Sequence, residues 1–201
     1  MIALLAPLPA PAAIDGAAAT ILILGDSLSA GYGLDQNDGW VALLQQRLAQ
    51  GRYPYQTVNA SISGETTSGG LSRLPAELER HRPAIVVLEL GGNDGLRGLP
   101  LAQMRQNLAD MIARCQARQA RVVLAGMQLP PNYGGAYTRG FEQVYAGLAA
   151  EHRVTLIPFL LAGLGGDRAD FQADGIHPTR EAQPVILDNV WKYLQPLLQR
   201  Q

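Results

Sequence analysis

Five short strand-like runs punctuate the chain: the apolar ILIL at 21–24, the β-rich YQTVNA at 55–60, AIVVLEL at 84–90, RVVLAGM at 121–127 and VTLIPF at 154–159. Runs of this length, bounded by turn residues, are the mark of buried strands. Between them lie stretches with the 3.6-residue period of an amphipathic helix. At 40–51, Trp40, Leu43, Leu44 and Leu48 share one face and Gly51 closes the run. At 101–118 the stripe is Leu101, Met104, Leu108, Met111, Ile112 and Cys115; at 141–152 it is Phe141, Val144, Tyr145 and Leu148. Residues 65–80 predict a helix broken or bent near Pro75, and 181–199 a helix with Pro184 in its first turn, where proline is tolerated. Repeated strand–helix units fold as a parallel sheet covered by helices on both faces. The expected fold is therefore a three-layer α/β/α sandwich around five parallel strands.

A chain of 201 residues is the length of one domain, placed here at 20–201. Its 47% hydrophobic and 16% charged content is that of a globular protein. Sixteen basic residues against seventeen acidic ones leave a net charge of −1, and no basic patch marks a nucleic-acid binder. The first nineteen residues differ from the rest: rich in Ala and Pro, nearly uncharged, an N-terminal arm or the remnant of an export signal. The signal reading points to a periplasmic or secreted protein; the missing basic leader leaves a cytoplasmic location open. No apolar run approaches the roughly 18 residues of a membrane span, so no stable insertion is expected. The single cysteine, Cys115, falls on the apolar stripe of its helix and reads as core.

In open parallel sheets, function gathers at the carboxyl ends of the strands. Those ends carry Gly25-Asp26-Ser27, Asn59-Ala60 leading into Ser63-Gly64, Gly91-Gly92-Asn93-Asp94, and QLPPNYGG at 128–135. A serine hydroxyl becomes a nucleophile only with a base in hydrogen-bond reach, itself oriented by a third group. Histidine suits the base role, with an unperturbed pKa of about 6.5. Of the three histidines, His81 and His152 sit in charged surroundings near helix ends, where a solvated or capping role is expected. His177 lies instead in the loop DGIHPTR, three residues after Asp174. A turn can bring that carboxylate to the Nδ1 side of the imidazole, leaving Nε2 free to accept a serine proton. Asp174 can equally serve the turn alone, and Ser27 can be a helix cap. Ser27 is not in a Gly-x-Ser-x-Gly elbow, because Ser29 stands where the second glycine belongs.

Four blocks, GDSLS (25–29), SGET (63–66), GGND (91–94) and DGIHP (174–178), occur in the order found in the SGNH, or GDSL, hydrolases. The chain resembles that family from about residue 21 to its end, with flanking text similar to the bacterial thioesterase I, lysophospholipase and arylesterase branch. The resemblance implies a flavodoxin-like five-stranded sheet and a serine hydrolase of carboxylic esters and thioesters, working without a cofactor or metal on a small-molecule acyl substrate, as a monomer. It implies Ser27 as nucleophile, His177 as base and Asp174 as the orienting acid. The backbone N–H groups of Ser27 and Gly64, with the Asn93 amide, would form the oxyanion hole. Asp26 and Asp94 are expected to hold loops by accepting backbone N–H groups. Leu28, Leu96, Leu99, Leu129 and Pro130 are candidates to line an acyl groove, and GLRGLP at 95–100 resembles a mobile substrate-contacting loop. Two other readings stay open: a carbohydrate O-deacetylase of the same family, and a non-catalytic flavodoxin-like binding module. Against the binder, Asp26 in the first loop would repel a phosphate.

Overall fold

The computed structural model describes residues 18–165 and 168–199. The arm expected at 1–19 lies outside the described residues as far as residue 17, and Ala19 already opens the first strand. The strands are β1 (Ala19–Gly25), β2 (Tyr55–Asn59), β3 (Ile85–Glu89), β4 (Arg121–Ala125) and β5 (Thr155–Ile157). All pair in parallel, in the order β2-β1-β3-β4-β5. The helices are α1 (Ser27–Ala30), α2 (Trp40–Gln50), α3 (Thr67–His81), α4 (Gly92–Leu96), α5 (Leu101–Ala117), α6 (Gly135–His152) and α7 (Gln183–Leu194).

The chain leaves β1 outward to β2, then returns to the other side of β1 with β3. Right-handed crossovers in opposite directions put their helices on opposite faces. Accordingly α2 packs on α7, while α3, α5 and α6 form a second row. Strands covered on both sides lose the in–out alternation of a half-exposed sheet. All five residues of β3 are buried, as is β1 from Thr20 onward. The loops after β1 and β3 part at the point where the order reverses, and a crevice opens there.

Local chemistry moves several boundaries. Helix α3 runs unbroken through Pro75 rather than breaking there, with Leu74 and Leu78 anchored in the core on either side. It begins at a Thr66 cap whose hydroxyl accepts from the Gly69 N–H. Helix α6 starts at Gly135, six residues before its apolar stripe. Strand β5 stops at Ile157 because Pro158 has no N–H to offer the ladder. The last helix ends at Leu194, short of 199, and Pro196 follows within a 3-10 turn.

Helices α3 and α6 close on Arg82 and Arg153, both left-handed, with φ of 40° and 54°. That conformation costs a residue with a Cβ roughly 1–2 kcal/mol, whereas glycine adopts it freely. Arg153→Gly is therefore expected to stabilise the fold by up to about 1 kcal/mol after the extra freedom of the unfolded chain is counted. Thermal unfolding would show the midpoint rising by about 2–4 °C. An unchanged or lower midpoint would mean that contacts of the Arg153 side chain outweigh the strain.

Candidate active site

Strand β1 delivers the chain to Asp26, whose Oδ1 accepts the Leu28 N–H at 3.0 Å and so caps α1. Ser27 is the first residue of that single turn, half-buried at the crevice. From the other end of the sequence, the loop before α7 brings in His177. Its Nε2 lies 2.8 Å from the Ser27 Oγ, across 150 residues of sequence. Its Nδ1 lies 2.7 Å from Asp174 Oδ2. Asp174 does both things its spacing allowed: Oδ1 accepts the backbone N–H groups of Ile176 (2.9 Å) and His177 (3.0 Å), shaping the turn, while Oδ2 meets the imidazole.

The side-chain bond to His177, followed by the two backbone donations, pulls the Asp174 carboxyl down to about 2. An ionised carboxylate can only accept, so the imidazole carries its proton on Nδ1 and its neutral form presents a bare Nε2 to the serine hydroxyl. The stability consequence has a fixed sign. Between the ordinary value of 3.8 and about 2, the unfolded chain binds more protons at this group than the folded one. Its contribution is whole above about pH 4 and disappears as pH falls through about 2. Subtracting urea-unfolding free energies of Asp174→Asn from those of the natural chain at pH 2–5 should give a difference that grows with pH across this window. A level difference would show that the turn bonds carry no charge dependence.

The other loops converge on the same place. After β3 the chain turns at Gly91, and α4 presents Asn93, whose Nδ2 donates to Asp26 Oδ2 at 3.0 Å. One amide hydrogen is thereby held and the other is left for the crevice. After β2, the Ile62 N–H donates to the Gly25 carbonyl at 3.1 Å, pinning the next turn beside the end of β1. That turn closes with Glu65 N–H to the Ile62 carbonyl, and Gly64 occupies its third position with φ of 78°. A type II turn needs a positive φ there, which explains the glycine. Asp94 holds the start of α3: Oδ2 accepts the Thr67 N–H at 2.8 Å and Oδ1 its hydroxyl at 2.5 Å. Both aspartates thus tie loops together.

Glu89, the last residue of β3, is fully buried. Its Oε2 accepts from the Ser29 hydroxyl (2.6 Å) and the Asp26 N–H (3.2 Å). Burial, and then the charge of Asp26, hold it well above the usual carboxylate range. Burial likewise pushes Asp26 up to about 6, against the donations of Leu28 and Asn93. The run AIVVLEL hid this residue: a glutamate at a strand end reads as solvent-facing until the sheet order buries it.

Ser27, Asn93 and His177 line one cavity of about 710 Å³. Of the expected groove residues, Leu28, Leu96, Leu129 and Pro130 line it too. Leu99 does not; it lies past α4, where its carbonyl takes the Tyr137 hydroxyl at 2.7 Å. Gly64 is also not a wall of this cavity and reaches the site only through its turn. Much of the wall comes from residues that the sequence reading passed over: Met127, Phe159, Leu161, Leu164, Phe171 and Ile176. Phe159 and Leu161 follow β5, so the strand-end rule, carried one strand further, would have found them. The 95–100 loop is held by the Tyr133 hydroxyl on the Leu96 carbonyl (3.0 Å), the Tyr137 bond, and Arg97 donating to the Gly64 carbonyl (3.0 Å).

The remaining candidates take structural places. His81 pairs with Glu77 at 3.3 Å, and both His81 and His152 sit in the last turn of a helix, where the dipole favours a cation. Cys115 is buried in the core, and burial pushes its thiol up to about 12. Among the described residues, no group of three His, Cys, Asp or Glu is placed to hold a metal, and no helix is long and apolar enough to cross a membrane.

A hydroxyl, imidazole and carboxylate in series at the switch point of a parallel sheet define a serine-hydrolase type of site. Comparison with known proteins fixes which kind: residues 23–183 match the model of the GDSL-like lipase/acylhydrolase family, and the chain belongs to it. Esterase TesA of Pseudomonas aeruginosa is 57% identical over 182 residues, 90% of each chain. Thioesterase 1/protease 1/lysophospholipase L1 of Escherichia coli K12 is 46% identical, over 90% of this chain and 86% of its own. Among solved structures, the psychrotrophic esterase EstA of Pseudoalteromonas sp., described as inhibited by monoethylphosphonate, superposes with a TM-score of 0.85 at 41% identity, covering 89% of this chain and 97% of its own.

Proposed function

We propose that the protein is a serine hydrolase that cleaves carboxylic esters and thioesters through an acyl-enzyme. The observation that carries this reading is the unbroken series Asp174 Oδ2, His177 Nδ1, His177 Nε2 and Ser27 Oγ, with steps of 2.7 and 2.8 Å. Ser27 attacks the acyl carbonyl while Nε2 takes its proton. The carbonyl oxygen becomes an oxyanion, met by the Asn93 amide and the N–H groups of Ser27 and Gly64. Donors already aimed at that oxygen stabilise the charge without reorganising. The imidazolium, steadied by Asp174, protonates the departing alcohol or thiol. Water then gives a proton to His177 and attacks the acyl-serine, and the imidazolium returns that proton to the Ser27 Oγ as the acyl–oxygen bond breaks and the acid leaves.

The apolar wall of Met127, Leu129, Phe159, Leu161 and Phe171 suits a hydrocarbon acyl chain and offers little to a carbohydrate. That supports acyl thioesters, lysophospholipids and aryl esters as the substrate range, in keeping with the names carried by the relatives. The test is covalent: a fluorophosphonate probe is expected to label the protein stoichiometrically, and peptide mapping to place the label on Ser27. A label elsewhere, or none, would overturn the reading.

A further inference from the structure

Tyr32 stands five residues after Ser27 and packs its ring against His177. The left-handed Gly31, φ 74°, ends α1 and turns the chain back, and the Tyr32 N–H returns to the Ser27 carbonyl at 3.1 Å. The phenol ring then lies with its centroid 4.4 Å from that of the imidazole, tilted by 37°. The position is reinforced from the opposite side. Gln172 Nε2 donates to the Tyr32 carbonyl (2.8 Å) and to the Pro178 carbonyl (3.1 Å), while the Gln172 N–H donates to the His177 carbonyl (2.8 Å). One side chain thus fastens the loop that carries the hydroxyl to the loop that carries the imidazole. Tyr32 is nonetheless 52% exposed, among the most exposed large apolar side chains described. These bonds fix the Tyr32 backbone, and the contact that places its exposed ring is the one with the His177 imidazole.

The geometry points to Tyr32 as a positioning residue of the reaction: its ring packs on the His177 imidazole, fixes its plane, and stabilises the imidazolium that forms as Ser27 gives up its proton. This inference rests on the proposed roles of Ser27 and His177. The electron-rich face of an aromatic ring attracts a cation placed over it, and the attraction exists only while the imidazole is charged. Such an interaction is stronger in the transition state than in the resting enzyme, the condition for raising kcat. The titratable groups facing His177 are Asp174 on its own loop, Asp26 at the start of α1, whose charge reaches the imidazole, and Tyr32 itself. The two carboxylates act whether or not the ring is present, so replacing the ring isolates its part.

The experiment compares the natural chain with Tyr32→Leu and Tyr32→Phe, using a p-nitrophenyl ester across pH. Ser27 labelling of the natural chain is measured first, and its failure would indict the catalytic reading, not the role of Tyr32. With labelling in place, Tyr32→Leu is expected to lower the plateau of kcat by about three- to fivefold, the size of an exposed cation–π contact. The acid limb of kcat/KM should move down by about half a pH unit, because an imidazolium without the ring gives up its proton more readily. Tyr32→Phe, which keeps the ring, should restore both. A merely structural role would not move the limb. A limb that stays in place in Tyr32→Leu, a loss that falls on KM alone, or a phenylalanine variant that behaves like the leucine one would each overturn the proposal.

Discussion

Replacing Ser27 by alanine is expected to lower kcat for a p-nitrophenyl ester by about 10⁴–10⁶-fold, in the range seen when the nucleophile of a comparable serine triad is removed. The rest of the site still binds and polarises the carbonyl, so a trace of hydrolysis above the uncatalysed rate is expected to remain. The fold should barely notice. The Ser27 side chain is half-buried, and its hydroxyl bond runs to His177, which keeps its tie to Asp174. Circular dichroism and the thermal midpoint should therefore match those of the natural chain while turnover collapses and the fluorophosphonate label disappears. Full activity in a correctly folded Ser27→Ala protein would move the nucleophile elsewhere.

The second large effect belongs to Asn93→Ala. Deleting one oxyanion donor lowers kcat by about 10²–10³-fold. On the proposed role the loss should fall on kcat with KM little changed, because an oxyanion donor meets a charge that exists only in the transition state. This variant also carries a structural cost that Ser27→Ala does not. The Asn93 amide donates to the buried Asp26, and its removal leaves Oδ2 without that donor, a penalty of about 1–3 kcal/mol. Activity must therefore be normalised to the folded fraction. A normalised kcat equal to that of the natural chain would remove Asn93 from the oxyanion hole and leave it as a loop tie.

The middle of the sheet was legible because strands buried on both faces, β1, β3 and β4, write themselves as continuous apolar runs; the edge strand β2, mostly unburied, was legible only from its β-forming residues. Ser27, Asp174 and His177 were legible for a different reason: the loop alone left a turn role open for Asp174, and the four ordered blocks of the family resemblance singled the three residues out. What escaped the sequence depends on where the chain goes in space. The helical period names the buried face of α6 but not its start, since Gly135 to Gly140 carry no stripe. Pro75 looked like a break, yet Leu74 and Leu78 are buried deeply enough to hold α3 through it. Leu99 and Leu129 are indistinguishable as letters; only the second faces the cavity. Glu89 and Phe159 take their meaning from neighbours more than sixty residues away or from the far edge of the sheet, and no local window contains those.

The closing of the site depends on Gln183, the first residue of α7. Its Oε1 accepts the Trp40 N–H at the start of α2, and its Nε2 donates to the Pro178 and Thr179 carbonyls just after His177. The hydroxyl and its proposed proton acceptor lie 150 residues apart in the sequence. A nascent chain displays Ser27 for most of its elongation with no imidazole beside it. On the proposed roles, acyl chemistry therefore waits until α7 has docked and Gln183 has tied the His177 loop to α2.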